Sequence, residues 1–145
     1  MNNVADSLMN ITNIICKAKS MDTGKWVRGY YVAIPEEYGH GQLCHAIFDP
    51  DECEHICMGE YKDYGWHEVD PFTICRCTGA KDKCNNLIFE HDILHGTIYH
   101  MFEDIGTFEV HWDDNVGGWN IQCFESSECE IIGNKFDNTG VESNE

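Results

Sequence analysis

The chain has 145 residues and a mass of 16.6 kDa, enough for one folded domain with a core of its own. A hydrophobic fraction of 42% with 12% aromatic residues excludes a disordered chain. Nine Lys and Arg against 26 Asp and Glu leave a net charge of −17, a field that repels nucleic acid and anionic membrane and attracts basic protein surfaces.

The charge is uneven. Residues 1–34 carry a net +2, residues 35–60 a net −7 and residues 91–145 a net −11. No apolar run reaches the length of about 18 residues that crosses a bilayer, and MNNVADSLMN has neither a basic leader nor an apolar segment. A protein of the cytosol is therefore expected. Nine cysteines fall below the density of a disulfide scaffold, and an odd count without an export signal points to reduced thiols.

In chain order, residues 1–10 read as a helical or flexible arm. "NIICKAK" and "KWVRGYYVAI" are rich in β-branched and aromatic residues, and "SMDTG" between them is turn chemistry, so a hairpin is expected. In its second strand Trp26, Arg28, Tyr30 and Val32 share one face, with Val27, Gly29, Tyr31 and Ala33 on the other. Neither face is cleanly polar, which predicts a strand covered on both sides. "LCHAIF" follows as a strand, then the acidic, Gly-interrupted "DPDECEHICMGEYKDYGW" as an excursion or short helical turn. "WHEVD" and "FTICRCT" bracket Pro71. The last third predicts a meander of "TFEVHW", the turn "DDNVGG", "WNIQCF" and "CEIIGNKF", with a polar, disordered tail over 138–145. The fold class expected is mostly β, a small barrel or pseudo-barrel of short antiparallel strands with minor helical caps over residues 11–137.

Several ordered blocks carry a resemblance. "GKWVRGYYV", "HAIF", "VDPFTICRCTGAKDK…IFEHDIL" and "CEIIGNKFDN" resemble the YopX-like proteins of bacteriophages and prophages, over about residues 12–138. The resemblance implies an all-β pseudo-barrel with small helical caps and an accessory role in a phage, often against host defence. It implies no enzymatic activity. Two departures stand out: Cys84-Asn85 where the family reads Asn-Gly, and Glu90-His91-Asp92 where it reads Glu-Gly-Asp.

The sequence offers four kinds of candidate site. "TGAKDKCNN" has one glycine and leads into a strand, so it is a β-turn with exposed Lys81 and Lys83, Asp82 bonding its own backbone, and not a phosphate loop. Cys53 and Cys57, with His55 between them, are the weak candidates for structural zinc, and no cofactor is expected. His91 and His95 stand roughly 13 Å apart if they lie on a strand, and Cys75 and Cys77 share one face as small buried hydrophobes. Glu90 and Asp92 point the same way on a strand, where a turn or salt-bridge role outweighs acid–base chemistry. Trp26, Tyr30, Tyr31, Trp66, Trp112 and Trp119 are expected mostly in the core. Trp112 and Trp119 nevertheless flank the acidic turn, where an aromatic pair beside acids is the anchor type that dominates many interfaces.

The function expected is a non-enzymatic inhibitor of host defence, of anti-CRISPR or anti-restriction type, in the bacterial cytoplasm. Its partner is a basic, nucleic-acid-handling host protein, contacted by Asp49, Asp51, Glu52, Glu54, Asp113, Asp114, Trp112 and Trp119, with no direct nucleic acid and no membrane. The alternatives are a protein that sequesters a nucleotide-derived defence signal through Arg28, Arg76, Lys81 and Lys83, and a structural oligomeric phage protein. A homo-oligomer fits either.

Overall fold

The computed structural model describes residues 14–35, 43–53, 65–99, 103–123 and 128–137. The expected arm and tail, His55, Cys57 and Glu54 lie outside the described residues. The chain divides into two compact units, Ile14–Cys75 and Arg76–Glu145, the latter grouped with Met1–Asn13. Every regular strand pairing within each unit is antiparallel. Among the described residues the chain is mostly β, and the helical turns are short 3-10 segments.

In the first unit β1 (Ile15–Lys19) and β2 (Trp26–Pro35) form the expected hairpin, from Ile15 opposite Tyr30 to Lys19 opposite Trp26. The turn chemistry is local. The Ser20 hydroxyl accepts from the Asp22 and Thr23 amides, and Gly24 takes a φ of 71° that other residues resist. β3 (Leu43–Phe48) pairs with β2, and β4 (Trp66–Glu68) pairs with β3. The excursion expected after β3 opens as a 3-10 turn over Pro50–Cys53. A second 3-10 turn, Pro71–Thr73, is capped by the Asp70 carboxylate, which accepts from the Phe72 amide, with Pro71 at its first position. Cys16, Ala18, Ile47 and Val69 form the core, with Val27 and Ile74 against it.

That core lies on one face of β2 only. The expectation of a strand covered on both sides is corrected: Val27 and Gly29 turn toward the core, while Arg28, Tyr30 and Ile34 on the other face are exposed. On the core side the approach is close: Gly29 sits where a Cβ would run into the Phe48 carbonyl oxygen.

In the second unit β5 (Cys75–Lys81, opening at the boundary) and β6 (Leu87–Phe89) form a hairpin around the lysine turn. β7 (Asp92–Tyr99) lies between β8 (Glu103–Glu109) and β11 (Glu130–Asn134). β9 (Trp112–Asp113) and β10 (Gly118–Trp119) make a short ribbon. Two features depart from the expected meander. "NIQC" is a 3-10 turn rather than a strand, and β11 returns to pair with β7 instead of its chain neighbour. The core holds Ile88, Leu94, Val110 and Cys129, with Phe108, Trp119, Ile121 and Ile131 packed against it. Gly96 is needed there, since a Cβ would come 2.7 Å from the Cys129 sulfur.

Candidate functional site

The lysine turn is built on carboxylate chemistry. Asp82 is buried. Its Oδ1 accepts from the Cys84 and Asn86 amides at 2.9 Å each, and its Oδ2 accepts from the Ile131 amide at 3.1 Å. Burial pushes this carboxyl up, but the amides of Asn86, Ile131 and Cys84 together outweigh it and hold the group below its ordinary value. Asn85 takes the φ of 68° that the turn needs. Lys81 and Lys83 are exposed, and Lys83 Nζ lies 3.5 Å from Glu130.

A second lock explains the Glu-His-Asp stretch. Asp92 is fully buried, its Oδ2 accepting from the Phe89 amide at 2.7 Å and its Oδ1 from Asn134 Nδ2 at 2.9 Å. Asn134 Oδ1 in turn accepts from the Phe136 amide, and Asp137 accepts from the Asn134 amide. His91 stands at φ 66°. The glycine-type backbone is therefore retained with a histidine on it. Its ring is held by Glu109 at 3.1 Å and by the edge of Phe136. Glu90 and Asp92 divide their roles structurally: Asp92 faces inward, and Glu90 takes Arg76 in a two-point pair at 3.1 and 2.9 Å. Burial raises the Glu90 carboxyl, and the Arg76 pairing more than reverses it, leaving it below its ordinary range.

Arg76 also packs over the rings of Trp119 and Trp112, 5.0 and 5.7 Å from their centroids. The two indoles meet edge to face at 5.3 Å. The structure thus brings together four of the expected contact residues. On the β9–β10 hairpin Trp112 is 38% exposed, Val116 at the tip is 60% exposed, and Asp113 and Asp114 flank them. Asp113 holds the tip by accepting the Asn115 amide and, through its carbonyl, the Gly117 amide. Asn120 closes the base, bonding the Glu109 carbonyl and the His111 amide.

The remaining expected residues fall elsewhere. Asp49, Asp51 and Glu52 lie at the 3-10 turn of the first unit, where Asp49 accepts from the Asp51 amide and Glu52 meets His67 Nε2 at 2.9 Å. Of the cations considered for an anionic ligand, Arg28 is on β2, Arg76 is engaged by Glu90 and the tryptophans, and Lys81 and Lys83 flank the Asp82 turn. Cys75 and Cys77 are buried as expected, and burial with Glu128 nearby pushes the Cys129 thiol up, away from reactive thiolate. Among the described residues no three His, Cys, Asp or Glu side chains group as metal ligands, and no helix is long and apolar enough to cross a membrane.

Sequence reasoning missed three outward aromatics. Tyr30, Tyr31 and Trp66 are exposed, as is Trp112 beside the acidic turn, against the expectation that most of the aromatics are core. A strand signal was present for each, but which face meets the core was not.

A mostly β chain of antiparallel strands, with its Glu-x-Asp turn tied to a closing Gly-Asn segment, defines the class. The chain matches the family model described as YopX protein over residues 17–141, and it belongs to the YopX family. No curated protein and no solved structure matches it.

Proposed function

We propose that the chain is a non-enzymatic, phage-encoded inhibitor of host defence, of anti-CRISPR or anti-restriction type, that occupies a basic nucleic-acid-handling surface of a protein in the bacterial cytoplasm. The observation that carries this is the β9–β10 hairpin. It offers an exposed indole and an exposed valine at a tip bordered by Asp113 and Asp114, on a chain of net charge −17. Arg76 beneath the two tryptophans fixes them before any partner arrives, which lowers the ordering cost of binding. The acids steer a basic surface in, and Trp112 anchors it. The phage and prophage setting of the resembling proteins supports the same direction. Inhibition is by occlusion, with Asp49, Asp51, Glu52 and Glu54 as a second acidic contact.

The test is capture from bacterial lysate at low and high salt, read by mass spectrometry, with wild type beside Asp113→Asn/Asp114→Asn and Trp112→Ala. Expected is a basic nucleic-acid-handling protein held at low salt, released toward molar salt and weakened by both variants. A captured set indifferent to salt and to both variants sinks the reading, as does product formation from any candidate substrate.

A further inference from the structure

We propose that the groove between the β1–β2 turn and the outer edge of β4 takes an extended, arginine-bearing peptide segment of the partner by strand addition. This deepens the reading above, on which it rests for the partner's basic character, and gives the first unit a contact of its own.

The edge follows from the register. The Asp49 amide donates to the Gly65 carbonyl and the Val69 amide to the His45 carbonyl. Residues 65, 67 and 69 therefore turn their peptide groups toward β3, and Trp66 and Glu68 turn theirs away from it. One end of this outer edge is covered: Ser20 bridges Val69, and the Met21 amide donates to the Glu68 carbonyl at 2.9 Å. Past Met21 the chain turns back at Gly24 into β2. A groove of about 420 Å³ opens there, with residues 20–23 on one wall and 66–68 on the other. Its volume lies within the range of about 300–1,000 Å³ usual for ligand sites. Among the described residues the Trp66 amide and carbonyl have no backbone partner on that side.

The walls select the occupant. None of the lining residues is a lysine or arginine, and Lys19 and Lys25 stand outside the lining. Asp22 and Glu68 are exposed on opposite walls, and neither carboxylate bonds a group among the described residues. Glu52 adds a third acid behind His67, 2.9 Å from its Nε2. Trp66, 45% exposed, rests its ring against Phe48 at 4.9 Å, and Met21 is 60% exposed on the facing wall. Arginine suits both kinds of surface: its guanidinium is flat enough to lie on an indole and charged enough to pair with carboxylates. Trp66 and Glu68 lie two apart on one face of β4, which matches arginines at alternate positions of an incoming strand. Three residues of β4 span about 10 Å, so about three or four residues of the partner are engaged. A second copy of this chain brings the same acids to the edge and is repelled, which leaves a basic partner as the occupant.

The experiment titrates the full chain into a fluorescein-labelled hexapeptide, Gly-Arg-Val-Arg-Val-Gly, followed by anisotropy at low salt. Expected is saturable binding that Asp22→Asn/Glu68→Gln weakens about tenfold or more with no drop in melting temperature. Asp113→Asn/Asp114→Asn leaves it unchanged. Methylating the amides of the two arginines removes the backbone donors and weakens binding by a similar factor. The proposal is overturned by no saturable binding at millimolar protein, by equal binding of the methylated peptide, by equal competition from Gly-Glu-Val-Glu-Val-Gly, or by a double variant that binds as wild type does. Dimerisation in sedimentation that blocks the peptide also overturns it, since the edge then belongs to a second copy. If the peptide fails while salt-sensitive capture through Trp112, Asp113 and Asp114 persists, this site fails alone. If that capture fails while the peptide still binds, the hairpin contact fails and this site stands.

Discussion

At the scale of single residues, two positions carry most of what distinguishes this chain. His91 holds a left-handed backbone at φ 66°, a conformation that costs a side-chain-bearing residue roughly 1–2 kcal/mol. Glu109 and Phe136 offset part of that. We expect His91→Gly to raise the urea midpoint by about 1 kcal/mol in stability, and His91→Val to lower it, because β-branching makes positive φ worse. A valine variant as stable as wild type would contradict the strain. Asp82 behaves differently, since its carboxyl is held below its ordinary value. The stabilisation is therefore present above the unfolded pKa of about 3.9 and is lost as pH falls through the lower folded value. Asp82→Asn should destabilise by about 1–3 kcal/mol at neutral pH, because an amide cannot accept from all three backbone donors. The gap to wild type should narrow in urea melts run below pH 4. The turn around Asp82 was legible in sequence because its bonds are local. The strain at His91 was not, because a histidine gives no signal of the φ it must adopt.

At the scale of elements, legibility followed sequence separation. "SMDTG" announced the β1–β2 hairpin because Ser20, Thr23 and Gly24 solve the turn among themselves. The partner of β11 was illegible, since its choice of β7 rests on bonds across more than forty residues: Asp82 to Ile131 and Asp92 to Asn134. The outward placement of Tyr30 and Trp66 was hidden for a related reason. Strand periodicity divides side chains into two faces without saying which face finds a partner. Gly29 gives a direct check on the register that decides this. Gly29→Ala places a methyl against the Phe48 carbonyl, so β2 and β3 must part, and a loss of about 2–3 kcal/mol is expected by thermal melting. An unchanged melting temperature would mean that the β2–β3 contact is looser than described.

At the scale of the whole molecule the dominant quantity is charge. With 26 acids against nine basic side chains, self-repulsion works against the compact state at neutral pH. Melting temperature should therefore climb as sodium chloride rises from about 10 to 150 mM, where the screening length shortens from roughly 30 to 8 Å. A fall over that range would show that paired charges outweigh repulsion.

The two inward carboxylates of the second unit draw donors from its final strand, through the amide of Ile131 and the side chain of Asn134. If that strand peels away, each acid sheds a donor while still enclosed, so partial opening is dearer than its lost contacts alone imply. Residues 76–137 should accordingly melt in one all-or-none step, with amide exchange on β6, β7 and β11 converging on a single opening free energy instead of fraying strand by strand.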